Sequence, residues 1–307
     1  MSEEAPNLPA PDVDPSRIEE LAEGVWVIPD RRVPLVPNIG IVAGDDTVLV
    51  VDSGMGPRNG ARVLEAARAK AGDRRLILTT THFHPEHGFG AQAFRGAAHM
   101  IYNDAQLGEL RDKGQGYLEM FRTFAPTVAE ALEGVELVEP DEVYEGGEHT
   151  LDLGGRTVRL LTWGLAHTRS DQVVWLADER ILFTGDLVEE RIFPIYPYFP
   201  PEDADVDGSA WIEVLRRLEA LAPARVVPGH GDVGGVDVIT TAREYHERVR
   251  EATFRLADDG VSEDNAVAQL EPEIHARYAG WEQPEWVAFA VRCFHAARAR
   301  AAVDTNP

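Results

Sequence analysis

The sequence predicts an α+β fold in which layers of β-sheet are covered by helices. Short runs rich in Val and Ile come in two blocks, each mixed with segments of helical periodicity, and a long helical stretch follows the second block. This order favours sheet layers with helices on their faces over a helical bundle or an all-β sandwich. The length of 307 residues suits about two average domains, or one large domain with an appendage.

The first block begins with strands. Three runs separated by turn residues are predicted to be antiparallel strands: 25–28, 39–43 and 48–51. Residues 59–71 have apolar side chains in helical register, and 76–80 is an apolar run of the kind found in buried strands. A longer helical stretch is predicted for 104–132. The segment 1–17 is rich in Pro and acidic residues and is predicted to be a disordered or loosely docked arm.

The second block repeats the pattern and ends in helices. Its predicted strands are 150–153, 157–161, 172–176, 181–184 and 225–227. Residues 209–221 have one apolar face and are predicted to form a helix with Ser209 as its N-cap. The chain after Gly235 is predicted to be helical.

The charge composition narrows the classes of partner. The chain has 29 Lys and Arg against 53 Asp and Glu, which gives a formal net charge of −24. A surface this negative disfavours nucleic acids and anionic membranes as partners. A single cysteine, Cys293, excludes an internal disulfide framework and a Cys-rich zinc finger. Because no secretory signal and no bilayer-length apolar run are visible, a cytoplasmic location is predicted.

Three histidines and a glutamate fall within six residues, directly after the last predicted strand of the first block. Side chains at i and i+2 of an extended segment point the same way, so His82 and His84 can converge on one ion. Pro85 suits the first turn of a helix, which would carry Glu86 and His87. Imidazole is the commonest zinc ligand and a carboxylate adds an oxygen donor, so this stretch predicts a metal site.

Three later segments also place a metal-ligating side chain after an apolar run, and they supply His167, Asp186 and His230. Each of these alone would be a weak signal, since an isolated histidine in a Gly-rich loop is more often a structural hydrogen-bonding group. Together, four strand ends in chain order supply five histidines and two carboxylates. That number of donors is enough for two ions.

These residues and their order resemble a known family. The similarity is to the metallo-β-lactamase superfamily, in its subgroup with a bridging aspartate, and it is carried by His82-x-His84-x-Glu86-His87 followed by His167, Asp186 and His230. The resemblance covers about 18–236, including 50–54, which is similar to the family's first motif. It implies a four-layer αββα sandwich with two mixed sheets face to face and metals in the cleft along one edge. Residues 237–307 would form a helical extension packing on this catalytic domain.

The resemblance also implies a role for each residue. The first metal would be bound by His82, His84 and His167, and the second by Glu86, His87 and His230. Asp186 would bridge the two metals, and Asp52 would orient the site. Two zinc ions are expected, with iron and manganese as alternatives. The family usually has Asp where this chain has Glu86, so the second site is expected to be weaker, shifted or filled by another metal.

The implied activity is metal-dependent hydrolysis. Two divalent ions would share a water and supply a hydroxide that attacks a carbonyl carbon. Asp186 and Glu86 are the predicted catalytic residues, because they could hold this hydroxide or move its proton. Asp186 also argues against a true β-lactamase, which typically has a different residue there. The predicted substrate is a small molecule with an ester, lactone or thioester bond.

Several alternatives stay open. A mononuclear iron dioxygenase acting on a persulfide would use His82, His167 and Asp186, and a non-catalytic metal-binding protein would keep the fold without the reaction. The aromatic residues of loop 191–201 either wall an apolar pocket or pin a long connection to the core. Residues 31–35 form either a hairpin tip, which is favoured, or a flap over the site. The helical tail is expected to pack on its own chain, with a homodimer contact as the alternative.

Overall fold

The structure is a computed structural model that describes residues 8–200 and 203–304. Its strands are β1 (Glu19–Ala22), β2 (Val25–Ile28), β3 (Ile39–Ala43), β4 (Thr47–Val51), β5 (Arg75–Thr79), β6 (His99–Asn103), β7 (Glu142–Tyr144), β8 (Glu148–Asp152), β9 (Thr157–Thr162), β10 (Gln172–Leu176), β11 (Ile181–Phe183) and β12 (Arg225–Val227). Its α-helices are α1 (Gly56–Ala71), α2 (Pro85–Gly88), α3 (Asp104–Phe121), α4 (Pro126–Ala131), α5 (Gly208–Ala220), α6 (Val236–Asp258), α7 (Glu263–Arg277) and α8 (Val287–Asp304).

The strands form two mixed sheets, as expected. The first sheet contains β1 to β7 in chain order, antiparallel from β1 to β4 and parallel from β4 to β7. The second has the order β12-β11-β10-β9-β8, and only its β11–β12 pair is parallel. The ends of β5, β9, β11 and β12 precede the four segments that carry the predicted metal ligands.

Alternation along the strands builds the layers. On β2, Val25 and Val27 pack into the core between the two sheets, whereas Ile28 packs into the core under α1. On the outer face of the second sheet, Trp175 packs into a core shared with α5 to α8, where Trp211 is among the largest fully buried side chains. The order of layers is helix, sheet, sheet, helix, which confirms the predicted α+β four-layer architecture.

Three local predictions were wrong. The short strands β1, β6 and β7 were not predicted, because each mixes polar residues into a run too short to show a period. The predicted helix 104–132 is two helices, since Pro126 cannot continue a helix and instead begins α4. The N-cap of α5 is Asp207 rather than Ser209. The carboxylate of Asp207 accepts hydrogen bonds from the backbone N–H groups of Ser209 at 2.9 Å and Ala210 at 3.0 Å.

Part of the predicted N-terminal arm lies against α1. Val13 is buried, and its backbone N–H donates to Oδ1 of Asn59 at 3.0 Å. The Asn59 amide in turn donates to the carbonyl of Pro11 at 2.7 Å. This part of the arm is therefore anchored by buried contacts, while 1–7 lie outside the described residues.

The C-terminal helices α6 to α8 pack on the second sheet and on α5. Within the described ranges, no helix is both long enough and apolar enough to cross a membrane.

A buried histidine lies in this core, away from the predicted ligands. His246 on α6 is completely buried, its ring lies 4.4 Å from that of Trp211, and the Tyr196 hydroxyl hydrogen-bonds to its Nδ1. Burial, followed by the charge of His167, lowers the pKa of His246 to about 3. His246 is therefore neutral in the folded protein at neutral pH.

We expect His246 to make the protein less stable as the pH falls from 7 to 5. The unfolded chain takes up a proton there below about pH 6.5, whereas the folded chain does so only near pH 3, so the unfolded state binds more protons. This group should then lower the free energy of unfolding by about 2 kcal/mol over that range. Urea denaturation should show the stability difference between wild type and His246→Gln shrinking by about this amount at pH 5. The same pH dependence of the free energy of unfolding in wild type and variant would contradict the prediction.

Candidate metal centre

The predicted histidine segment follows β5 at one edge of the sheets. The chain bends at 81–83 before α2 begins, and the rings of His82 and His84 lie with their centroids 4.6 Å apart. Pro85 begins α2, and the single helical turn brings Glu86 and His87 back toward the first two histidines. All of these side chains are buried. The segment therefore brings its four predicted side chains together, although the backbone is bent where an extended conformation was predicted.

The remaining predicted residues follow three strands of the second sheet, β9, β11 and β12, and they are His167, Asp186 and His230, respectively. Glycines permit their close approach. A Cβ on Gly229 would lie 1.9 Å from Oδ1 of Asp186, so no other residue fits there without a shift. Gly185, directly before Asp186, has a φ of +53°, a conformation that favours glycine.

The side chains form two groups of possible metal ligands. The first donor group is His82, His84, His167 and Asp186, and the second donor group is Glu86, His87, Asp186 and His230. Within each group, one potential ligand atom from each residue lies within 4.8 Å of all the others. The structure therefore brings together all seven residues that were predicted as metal ligands, in the two sets that the resemblance implied.

Asp186 belongs to both groups because its two oxygens face different ways. Its Oδ2 lies 3.7 Å from Nε2 of His82 in the first group. Its Oδ1 lies 3.2 Å from Nε2 of His87 and 3.7 Å from Nε2 of His230 in the second group. Asp186 is therefore shared between the two donor groups, with one oxygen toward each.

Hydrogen bonds from outside the groups orient the rings. Oδ2 of Asp52 lies 2.9 Å from Nδ1 of His87, and Oδ1 of Asp52 accepts from the backbone N–H of Thr81 at 2.7 Å. Nδ1 of His230 lies 2.9 Å from the carbonyl oxygen of Val36 and donates to it. Both contacts leave the Nε2 atom of the ring facing Asp186. Asp52 therefore lies where the resemblance implied an orienting residue.

Burial and neighbouring charges perturb the pKa values of the imidazoles. Burial, followed by the nearby imidazoles, lowers the pKa of His82 and of His84 well below the ordinary value, which favours the neutral form that binds metals. Burial also opposes the charged form of His87, but Asp186 and Asp52 outweigh it and raise the pKa of this residue. Asp186 and Asp52 thus favour a positive charge at His87. A bound metal ion can supply that charge as well as a proton can.

The two carboxylic side chains differ in the direction of their shifts. Burial raises the pKa of Glu86, and the nearby Asp186 adds to this effect. Burial also opposes ionisation of Asp186, but His87 and His230 outweigh it and lower its pKa. Asp186 is therefore the anionic centre of the cluster.

The chemistry of the cluster fits divalent metal ions. Several buried ligand atoms have no hydrogen-bond partner among the described residues, and these are Nε2 of His82, His84, His87 and His167, Oε2 of Glu86 and Oδ1 of Asp186. Leaving so many buried polar atoms unpaired is costly, so a missing partner is expected. Imidazoles with one or two carboxylates are the donors that zinc and related ions prefer.

A cavity of about 350 Å³ opens in front of the second donor group. Glu86, Asp186 and His230 line one side of it. Apolar side chains line much of the rest, including Ile192 and Ile195. Its size is at the lower end of the range for small-molecule sites.

Two open questions from the sequence are answered at this cavity. Residues 31–35 lie in the connection of the antiparallel β2–β3 hairpin, as favoured, and Arg32, Val33, Pro34 and Leu35 also line the cavity, so this hairpin tip is a flap beside the site. In loop 191–201, Phe193 and Tyr196 are buried in the core with the C-terminal helices, so they pin the connection. The cavity is lined instead by the isoleucines of the same loop.

The sequence analysis missed Glu189. This residue lines the cavity, is 3% exposed, and its Oε2 has no hydrogen-bond partner in the described part of the chain. Burial, followed by the charges of Asp186 and Glu86, raises the pKa of Glu189 well above its ordinary value. Its position three residues after Asp186, in the same turn, was the one available signal.

Two facing sheets covered by helices, with a buried cluster of histidines and carboxylates at their edge, define a metallo-hydrolase. The chain belongs to the metallo-beta-lactamase superfamily, whose family model matches residues 32–230. This match includes all seven residues of the two donor groups and confirms the resemblance found in the sequence.

Three curated relatives are similar to this chain. The metallo-beta-lactamase type 2 of Bacteroides fragilis is 31% identical over 108 residues, which cover 34% of this chain and less than half, 42%, of that protein. The acyl-coenzyme A thioesterase MBLAC2 of Bos taurus is 27% identical over 259 residues, or 80% of this chain and 86% of that protein. MBLAC2 of Gallus gallus is 28% identical over 214 residues, or 65% and 74%.

Solved structures share the fold. The DIM-1 metallo-beta-lactamase aligns with a TM-score of 0.59 and 20% identity over 80% of this chain and 99% of that chain. A double mutant of the sec-alkyl sulfatase PisA1 aligns with a TM-score of 0.68 and 14% identity over 94% of this chain and 51% of that chain. At these identities the alignments establish the fold alone.

Proposed function

We propose that this protein hydrolyses an ester, lactone or thioester bond of a small molecule, with two divalent metal ions held by the two donor groups. Zinc is the expected metal. The position of Asp186 carries the proposal, because one of its oxygens faces His82 and the other faces His87 and His230. A carboxylate placed in this way suits a pair of ions that act together on one substrate.

Of the three bond types, the thioester has the most support. The two MBLAC2 relatives are acyl-coenzyme A thioesterases by name, and each covers about two thirds or more of this chain. The cavity beside the second donor group, with its apolar side chains, also suits an apolar part of a small thioester. Both observations support a carbonyl substrate over a phosphodiester.

The residues of the site have separate roles in such a reaction. Divalent ions bound here would lower the pKa of a water molecule and polarise the substrate carbonyl. The orienting hydrogen bonds leave Nε2 of His87 and of His230 free as ligands. Glu86 and Asp186 are the carboxylates close enough to the reacting atoms to take up or return a proton. The apolar wall of the cavity excludes competing water.

The mononuclear iron dioxygenase is the weaker candidate. It requires only the histidines of the first donor group with Asp186, and it gives no role to the second donor group. Glu86, His87 and His230 nevertheless converge on Oδ1 of Asp186 in the buried interior. This convergence supports a two-ion hydrolase.

Further parts of the sequence prediction stay proposals. They are a cytoplasmic location, iron or manganese as alternative metals, and a small-molecule substrate without nucleic-acid or membrane partners. The same holds for a catalytic domain at 18–236 with a helical extension at 237–307, and for the homodimer.

Elemental analysis of protein purified without chelator tests the metal and the reaction class. We expect two zinc ions per chain, and thioester hydrolysis that is lost on chelation and restored by zinc. One iron per chain with oxygen uptake in the presence of a persulfide would replace this proposal with the dioxygenase. No bound metal would favour a binding protein.

A Glu86→Asp variant tests the second donor group. Removing one methylene withdraws the carboxylate by roughly an ångström, whereas metal–ligand distances vary by only about 0.2 Å. Because the second donor group of this chain is formed with the longer Glu side chain, we expect the affinity for the second ion to fall about tenfold in Glu86→Asp while the first ion stays bound. Metal titration followed by elemental analysis measures both, with the exposed Glu133→Asp as control. Unchanged occupancy and activity would show that Glu86 is not a ligand.

A further inference from the structure

One wall of the cavity lies outside the region that the family model matches. Residues 282–286, here called the C-terminal wall, lie in the connection between α7 and α8, and Glu282, Gln283, Glu285 and Trp286 line the cavity next to the flap. The family match ends at residue 230, so this wall lies in the C-terminal part of the chain that the family model does not cover. Its chemistry therefore bears on which substrate this chain accepts.

The C-terminal wall is held in place by backbone hydrogen bonds. The N–H of Phe193 donates to the carbonyl of Glu282, and the N–H of Glu282 donates to the carbonyl of Arg191, both at 3.0 Å. His275 on α7 approaches the carbonyl of Pro284 at 2.8 Å. The wall and the loop that supplies the cavity's isoleucines thus form one structure.

Outside the two donor groups, the ionisable side chains that line the cavity are mostly acidic. Arg32 on the flap is the only Lys or Arg among the described residues that line it. Its guanidinium pairs with Glu190, with Glu282 at 2.9 Å and with Asp232 at 3.2 Å, so three carboxylates surround one positive charge. Glu285 lines the cavity without an ion pair in the part of the chain that the structure describes.

A second observation points to a ligand that binds in this cavity. Glu189 lies deeper in the cavity, is 3% exposed, and its Oε2 has no hydrogen-bond partner among the described residues. A buried carboxyl oxygen in this state calls for a hydrogen-bond partner from whatever fills the cavity. Trp286 adds an aromatic face to the same cavity, and such faces attract cations as well as apolar groups.

We propose that the C-terminal wall makes this hydrolase select substrates whose leaving group is apolar and carries either a positive charge or no charge. Substrates whose leaving group carries a negative charge are rejected. The inference rests on the proposed function for the reaction. Water adds to the thioester carbonyl, the carbon–sulfur bond breaks with its electron pair on sulfur, and the products are a carboxylate, a thiol and one proton. The phosphates of a coenzyme A leaving group would meet acidic side chains and no unpaired Arg or Lys among the described cavity residues.

Three butanoyl thioesters of similar size separate charge from shape. Their thiols are thiocholine, which is a cation, 3,3-dimethylbutane-1-thiol, which is its neutral isostere, and 2-mercaptoethanesulfonate, which is an anion. Thiol release by the metal-loaded protein gives kcat/KM for each. We expect the cation to exceed the anion at least tenfold, with the neutral thioester between them or equal to the cation.

A double variant assigns this preference to the wall. In Glu282→Gln/Glu285→Gln, two carboxylates are neutralised and Arg32 loses one of its partners. We expect the ratio of cation to anion to fall about tenfold while kcat/KM for the neutral thioester changes less than threefold. Glu251→Gln/Glu273→Gln is the matched control, because it removes the same charge from exposed positions on α6 and α7 that do not line the cavity. The control should keep the wild-type ratio.

Binding gives a readout that does not depend on turnover. Calorimetric titration of the purified protein with hexyltrimethylammonium and with hexanesulfonate should show tighter binding of the cation, and the Glu282/Glu285 double variant should lose this preference. Turnover of all three thioesters with the anion equal to or above the cation would overturn the inference alone. Hydrolysis of none of them, with the binding preference intact, would overturn the thioester activity and leave the charge selection standing. An unchanged ratio in the double variant would also overturn the inference.

Discussion

Replacing Asp186 by Asn is expected to reduce kcat/KM by about 10³-fold or more and to lower the bound metal from two ions to one or fewer. The amide keeps the shape of the side chain but removes its negative charge. Asp186 is the carboxylate that the two donor groups share, and Glu86 is the other one in the cluster. Two divalent ions would then be held by five imidazoles and a single carboxylate, which leaves most of their charge unbalanced in a buried site.

An Asp52→Asn variant provides a graded comparison. Asp52 contacts Nδ1 of His87 and not the donor face of the cluster, so its loss is expected to cost about 10–100-fold in metal affinity or activity. Metal analysis and kinetics on both variants, with circular dichroism to confirm folding, measure the difference. Full metal content with activity within tenfold of wild type in Asp186→Asn would refute a bridging role.

Replacing Trp211 by Ala is expected to lower the free energy of unfolding by about 4 kcal/mol. The side chain is completely buried, and its ring lies 5.3 Å from that of His167 and 5.1 Å from that of Tyr196. Its Nε1–H also donates to the carbonyl of Leu187 at 3.0 Å, next to Asp186. Truncation leaves a large cavity and an unpaired buried carbonyl at the support of the metal centre.

Two further variants separate these contributions. Trp211→Phe keeps much of the volume and loses the hydrogen bond, so a cost of about 1–2 kcal/mol is expected. Trp26→Ala is the matched control, because Trp26 on β2 is only partly buried and has Lys70 Nζ 4.4 Å from its ring centroid. It is expected to cost about 1.5 kcal/mol or less. Urea denaturation measures all three variants, and equal losses for the two Ala variants would contradict this account of the core.

The strands that were predicted correctly are those whose residues carry the signal by themselves. β2, β3 and β4 are short runs of β-branched residues between turns, and hydrogen bonding within the sheet only confirms their preference. The residues of β1 and β7 have no such preference for strands. These two strands form because each hydrogen-bonds to the edge of a neighbouring strand. Pro126 marks the break between α3 and α4 in the sequence, but the predicted helix 104–132 was drawn through it.

The candidate site also has a part that the sequence predicts and a part that it does not. Its seven ligand-type residues follow apolar runs, and the ends of neighbouring strands meet at one edge of a layered fold, so their convergence could be predicted from order and spacing. The cavity could not be predicted. Its flap, Glu189 and the C-terminal wall come from segments that are separated by up to about 250 residues, such as Arg32 and Glu282.

The sequence by itself determined the class of fold and the seven ligand-type residues, because local preferences and metal-ligand chemistry are properties of the residues themselves. The resemblance of these residues to a known family supplied the family and the division into two donor groups. Tertiary structure alone decided which oxygen of Asp186 faces which group, that Asp52 holds His87, and that an acidic wall faces the flap. These features depend on distances between segments far apart in the chain. Such distances are set by how the sheets and the C-terminal helices pack, and no local pattern of residues encodes them.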